Sequence, residues 1–184
     1  MSLIVLRPEI QRRERMDRVV VIGCSGAGKS VLTRELAVRT GIPAHHLDQL
    51  YWQPGWRPHP DLAAFRKTVD TIVASERWIL DGGFLDSAGT ARFGRADTAV
   101  ILDLPTRVCL FRAVKRWWSY RGDTRPDLAP GCPEKFDLEF YRYILTYNAK
   151  QAPQRDSLIA KHFKGRLVRI QNDADKAAFL SALA

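Results

Sequence analysis

The sequence predicts a three-layer α/β fold: a five-stranded parallel sheet with helices on both faces. Two observations predict it. Short apolar runs alternate with helix-length amphipathic segments from residue 19 to the C-terminal region, which is the pattern of βαβ units with right-handed crossovers. The runs also end in Gly or Asp (Gly23, Asp48, Asp81, Asp103), and ligands of such folds bind beyond the carboxyl ends of the strands.

The elements follow in order. Val19 to Ile22 is a buried strand ending at Gly23. Lys29 to Thr40 is a helix carrying Val31, Leu32, Leu36 and Val38, with Gly41 as its stop. Ala44 to Leu47 is the second strand. Asp48 to Pro60, aromatic and Pro-rich, is predicted as a structured loop rather than a helix. Asp61 to Glu76 is a helix with Leu62, Phe65, Val69, Ile72 and Val73 on one side. Trp78 to Leu80 and Thr98 to Leu104 are the third and fourth strands. Thr106 to Tyr120 is a basic helix, and the Gly/Pro-rich stretch 121–133 is a loop. Phe136 to Lys150 is helical, with Pro153 marking a break before another helix to about Phe163. Leu167 to Ile170 is the fifth strand and Asp173 to Leu183 the closing helix.

Composition bounds the function. The 184 residues fit one domain of 18–184 after an N-terminal extension of 1–17. The formal charge of +9 favours anionic partners: nucleotides, phosphorylated metabolites or nucleic acid. Three scattered cysteines, Cys24, Cys109 and Cys132, form no disulfide framework and point to a reducing cytoplasm. With no apolar run long enough to span a bilayer and no signal-peptide pattern, no membrane role is expected. The four histidines show no metal-ligand spacing with the cysteines.

Residues 23 to 30 read Gly-Cys-Ser-Gly-Ala-Gly-Lys-Ser. This is the Gly-x-x-x-x-Gly-Lys-Ser phosphate loop, and it lies between a predicted strand and a predicted helix, the context that the motif requires. Its glycines let backbone N–H groups wrap a phosphate at a helix N-terminus. Gly23, Ser25, Gly26, Ala27, Gly28, Lys29, Ser30 and Val31 are the expected nucleotide-binding residues. Lys29 is placed for the β/γ-phosphates and Ser30 for Mg²⁺. The fold is thereby specified as a P-loop NTPase fold, with ATP and Mg²⁺ as expected cofactors.

The chain lacks the Asn-Lys-x-Asp motif of switch GTPases and the Asp-Glu pair of motors and helicases. A small kinase remains, and such kinases need a lid whose arginines neutralise the transferring phosphate. Six basic residues and one acid lie between Arg107 and Arg125. Arg112 and Arg116 share a helix face, and Arg121 and Arg125 follow in the loop. These four are candidate catalytic residues of a small helical lid spanning about 112–135. Asp48 and Asp81 are candidates for holding Mg²⁺ or orienting the acceptor hydroxyl, against the alternative of structural strand-end carboxylates. Tyr51, Trp52, Trp56 and Arg57 form either a stacking wall for a ring or a packing surface against the sheet.

Several words of the sequence carry a resemblance: His46 to Trp56, Trp78-Ile79-Leu80-Asp81-Gly82, Arg125-Pro126-Asp127-Leu128 and Gly131 to Asp137. With the phosphate loop and Arg112-x-x-x-Arg116, they resemble adenylate-kinase-type nucleoside monophosphate kinases. They are still more similar to the group called DNA topology modulation proteins. The resemblance implies ATP-dependent phosphoryl transfer to a small acceptor, nucleotide or nucleoside-like, and contact of the loop at Asn172 with the adenine. Two departures stand out. Gly83-Phe84-Leu85 replaces the Phe-Pro-Arg that follows Asp-Gly in adenylate kinases, and the aromatic loop 48–60 replaces their monophosphate-binding domain. Two rival readings are a nucleic-acid-binding regulator, for which DNA is the partner, and a slow ATPase with no acceptor.

Overall fold

The computed structural model describes residues 16–85 and 89–183. The expected extension therefore lies outside the described residues except at its end. There Met16 packs on the core, and the Asp17 N–H donates to the Asp97 carboxylate at 3.1 Å.

The sheet consists of β1 (Arg18–Gly23), β2 (Ala44–His46), β5 (Trp78–Asp81), β6 (Thr98–Leu102) and β7 (Arg166–Ile170). All pairings are parallel, in the order β2-β5-β1-β6-β7. The Val-Val-Val-Ile run of β1 takes the centre because it is apolar on both faces, and Val19 to Ile22 are fully buried there. One layer of core lies between the sheet and α1 (Lys29–Thr40), α5 (Thr106–Ser119), α6 (Leu138–His162) and α7 (Asp173–Ser181). The other lies under α3 (Leu62–Ala74) and α4 (Gly89–Arg95), with the far end of α6.

Side-chain caps mark the starts of α3, α6 and α7. Asp61 accepts from Ala63 and Ala64 N–H, Asp137 from Glu139 and Phe140 N–H, and Asn172 from Asp175 N–H. Gly41 ends α1 in the left-handed conformation, its N–H on the Ala37 carbonyl. Of the four apolar residues predicted for α1, Leu32 and Leu36 face the core, whereas Val31 and Val38 are exposed.

Three expectations are corrected. Pro153 breaks nothing, and α6 runs through it as one helix of 25 residues. Buried side chains on both sides of it (Tyr141, Ile144 and Tyr147 before, Arg155 and Ile159 after) outweigh the missing hydrogen bond. Residues 48–60 are not all loop: they form the end of α2 (Leu47–Tyr51) and a hairpin of β3 (Trp52–Gln53) with β4 (Arg57–Pro58). Gly55 and Trp56 supply the positive φ angles that this turn requires. Finally, α4 was absent from the sequence reading.

Candidate functional site

The phosphate loop joins β1 to α1 as expected. Gly26 and Gly28 have φ of 81° and 96°, a region that disfavours side chains. A Cβ on Gly26 would also run into the backbone carbonyl of Cys109, so the loop lies directly on α5. Gly28 is the N-cap of α1 and offers no side-chain acceptor. The first-turn N–H groups of α1 are thus left for an anion. Lys29 is not the freely solvated lysine that a bare loop would present. It is part-buried and its Nζ donates to the Cys24 carbonyl across the loop at 3.1 Å. The neighbouring Cys109 thiol, together with burial, pushes the Cys24 thiol up.

A cleft of about 1110 Å³ opens over this loop. Gly23, Ser25 to Val31, Arg112, Arg116, Arg125 and Asn172 line it, so most of the predicted site converges. Asp48 lines it too; burial pushes its carboxyl above the usual range while Lys29 opposes that shift. Trp52 and Trp56 form part of the wall, edge to face at 5.6 Å, backed by Leu128, Ala129 and Cys132. They serve as wall and as packing at once. Tyr51 packs inward on Phe65 and Phe84, and exposed Arg57 donates to the Pro54 carbonyl.

Other predicted residues lie elsewhere. Arg121 is exposed and does not line the cleft. Asp81 is buried behind the cleft wall, its Oδ2 at 2.9 Å from His46 Nδ1. Burial opposes a charge on His46, but the Asp81 carboxylate outweighs it and raises the imidazole pKa. Asp103 accepts from Arg155 and Arg169 and ties β6 to α6 and β7. Among the described residues no cluster of three or more His, Cys, Asp or Glu is arranged to hold a metal by itself.

The arginines expected to form a lid are compensated by carboxylates. Arg112 Nη2 donates to both carboxylate oxygens of Asp173, at 2.9 Å each, and its Nη1 donates to the Ala27 carbonyl at 3.4 Å. Arg116 and Arg125 both turn their Nε toward Glu134 Oε1, and Arg125 Nη1 also donates to Asp127 Oδ2 at 2.9 Å. Glu134 and Asp127 are buried. Both acids lie C-terminal to the run of basic residues that ends at Arg125.

Segment 121–137 is seated on α2 and the hairpin. Gly55 N–H donates to the Gly131 carbonyl at 2.7 Å, Trp56 Nε1–H to Pro133 at 2.8 Å and Gln49 Nε2–H to Pro126 at 2.7 Å. Sequence reasoning also missed Arg92. It is fully buried, donating to the Gly82 and Phe84 carbonyls at 3.0 and 3.1 Å and fixing the turn beyond β5. Burial lowers its guanidinium pKa to about 10. A basic residue in a helix of seven carries no sequence signal of that task.

No protein-family profile matches the chain, and no curated protein matches it in sequence. Solved structures do match in fold. Shikimate kinase from Acinetobacter baumannii in complex with shikimate is 14% identical with a TM-score of 0.57, covering 91% of this chain and 90% of that one. Shikimate kinase from Bacteroides thetaiotaomicron is 18% identical at 0.54, covering 92% and 96%. A putative kinase from Chloroflexus aurantiacus is 13% identical at 0.53, covering 91% and 96%. The strand order, the phosphate loop and these likenesses together establish the three-layer P-loop NTPase fold that the sequence predicts.

Proposed function

We propose that the protein transfers the γ-phosphoryl group of Mg²⁺-bound ATP to a small acceptor, nucleotide or nucleoside-like. One observation carries the reading. The uncapped N-terminus of α1, with Lys29, opens into a cleft that continues past Asp48 to the tryptophan wall, leaving space for a second ligand beside the triphosphate. Ser30 and Asp48 supply the oxygen ligands that Mg²⁺ prefers, and the bound ion would neutralise charge on the transferring phosphate. The residues fit that ion through the phosphate rather than as a separate all-protein cage.

In this reading the protein's contribution is positioning and charge neutralisation. The loop N–H groups and Lys29 hold the phosphates. Arg112, Arg116 and Arg125 exchange their carboxylate partners for phosphate oxygens as charge develops. Asn172, which lines the cleft beside Asp173, borders the base. Asp81 acts from behind the wall, through His46 and the turn beyond β5. The direction of Arg112, Arg116 and Arg125, into the cleft, favours a kinase over a nucleic-acid binder, which needs its arginines on a continuous outer face.

The test is ATP consumption against a panel of nucleotides, nucleosides and small hydroxy acids, shikimate included, with Lys29→Ala as the control. ADP release that depends on one acceptor and is abolished in a folded Lys29→Ala variant is the expected result. ATP binding with no acceptor-dependent turnover across the panel would favour the slow ATPase. Full activity of Lys29→Ala would defeat the kinase reading.

A further inference from the structure

The sheet order places β2 and β5 on one side of β1, and β6 and β7 on the other. Asn172 and Asp173, beyond β7, line the part of the cleft assigned above to the base. The acceptor end is therefore the opposite one, beyond β2 and β5, where Asp48, Trp52, Trp56 and Phe84 line the cleft. Segment 121–137 closes this end, with Leu128 packed on Trp52 and Trp56.

The cations of the cleft are already committed. Among the described residues, every lysine and arginine that lines it, Lys29 excepted, has a carboxylate no more than 3.8 Å away. Asp127, next to Leu128, holds two arginines: Arg34 Nη1 lies 3.6 Å from Oδ1 and Arg125 Nη1 2.9 Å from Oδ2. Arg116 Nε lies 3.0 Å from Glu134 Oε1. Arg57, the basic residue of the hairpin, donates to the Pro54 carbonyl and does not line the cleft. Lys29 belongs to the phosphate loop.

A phosphate monoester carries about two negative charges at neutral pH. Such a group enters a closed cleft only where cations replace its water. Here it would have to draw Arg34 or Arg125 away from Asp127, or Arg116 away from Glu134. That leaves a buried carboxylate without its partner, the costly way to break such a pair. Moving Arg116 and Arg125 onto the γ-phosphate makes no room for an anionic acceptor either, because Glu134 and Asp127 would then face it. An uncharged molecule requires no such exchange, and the two indole rings give a flat ring a surface to stack on.

We propose that the acceptor is an uncharged alcohol carrying a flat ring, the chemical class of a nucleoside, and not a nucleoside monophosphate or a hydroxy acid. The inference rests on the kinase reading above. The hydroxyl oxygen forms the new bond to the γ-phosphorus. The bridging P–O bond breaks with its electron pair going to ADP, and the hydroxyl proton passes to water. The product is a phosphate monoester, an anion that the same carboxylates disfavour and that therefore leaves.

The test measures ADP release from Mg·ATP with matched pairs, each nucleoside against its own 5′-monophosphate, and with glycerol and shikimate. The best nucleoside should exceed its monophosphate in kcat/KM by about 100-fold or more, the scale of one buried charge left unpaired. It should exceed glycerol, uncharged but without a flat ring, by about 10-fold or more, the scale of one stacked ring. Shikimate, a carboxylate, should fall with the monophosphates. Asp127→Asn leaves Arg34 and Arg125 short of one charge partner, so the nucleoside-to-monophosphate ratio should fall by about 10-fold or more. Both rates in that ratio come from one sample, so a misfolded fraction cancels.

A monophosphate or shikimate used as well as any nucleoside, or glycerol equal to the nucleoside, would overturn the proposal on the unmutated protein and leave the kinase reading standing. A ratio unchanged by Asp127→Asn would overturn it too, since the committed cations would then not be what excludes the anion. Absence of acceptor-dependent ADP release across the whole panel would overturn the kinase reading along with it.

Discussion

Alanine substitutions at three left-handed glycines separate backbone strain from steric contact in the phosphate loop. Gly26, Gly28 and Gly41 have φ of 81°, 96° and 66°. An alanine at each incurs a comparable backbone cost, about 1–2 kcal/mol. Their surroundings differ. Nothing lies within 4 Å of a Cβ at Gly41, and only Arg112 Nη1, at 3.8 Å, near one at Gly28. At Gly26 the Cβ meets the Cys109 carbonyl, which is backbone and cannot rotate away. Relieving that overlap displaces the loop or α5 and adds about 1–3 kcal/mol, the usual range for overpacking. Gly41→Ala should therefore lower Tm by about 2–8 °C at about 2–4 °C per kcal/mol for a domain of this size, leaving ATP affinity intact. Gly28→Ala should lower Tm by a similar amount. Gly26→Ala should lower it by roughly twice as much and reduce ATP affinity the most. Thermal unfolding with and without Mg·ATP reads both effects. If Gly26→Ala matches Gly28→Ala in both, contact with α5 is not what requires glycine there, and the steric argument fails.

Glu134→Gln leaves Arg116 and Arg125 facing a neutral group in a buried setting. Losing one member of such a cluster costs about 3 kcal/mol, so proteolysis within 121–137 should accelerate by up to about 100-fold while the sheet stays folded; unchanged cleavage would count against the charge cluster as the anchor. Pro153→Ala restores an N–H inside continuous α6 and should stabilise the protein by about 1–3 kcal/mol in urea unfolding; an unchanged or lower midpoint would show that the helix depends on the proline's geometry. His46 has a folded-state pKa raised above 6.5. Its contribution to stability is therefore complete below that pH and is lost as pH rises through the folded value. The stability difference between the unmutated protein and His46→Gln should narrow as pH is raised past 6.5, and a difference constant from pH 5 to 9 would refute the His46–Asp81 pairing as its source.

The strands were legible because each is a short apolar run with a polar or glycine end, and burial of Val19 to Ile22 on both faces leaves no alternative to a central position. The phosphate loop was legible because its chemistry is local in sequence. What was missed is non-local. Asp127 and Glu134 follow the arginine run, but which acid meets which arginine is set by how 121–137 folds back, and no spacing rule encodes that. Arg92 works through carbonyls of a preceding turn, a role that any helical arginine conceals. Pro153 misled because propensity is local, whereas α6 is held by packing along its whole length. Asp81 closes β5 and faces His46, whereas Asp48 lies in the first turn of α2 and lines the cleft.

Segment 121–137 lies 77 residues along the chain from the groups it meets, Trp56 of the hairpin on Pro133 and Gln49 of α2 on Pro126. Cys132 Sγ–H adds a contact to the Gln53 carbonyl at 3.2 Å, across 79 residues. Neither insert has a core of its own: the small cluster of Leu128, Ala129 and Cys132 is completed by Trp52 and Trp56. Each thus serves as the other's template, and the two should open and close as one cooperative unit, distinct from the sheet beneath. Contacts of such long sequence separation also form late in folding, since the intervening chain must first be organised. The molecule should therefore acquire its phosphate loop before its cap, passing through a state whose phosphate-loop end is already shaped while the end under Trp52 and Trp56 is still open to water.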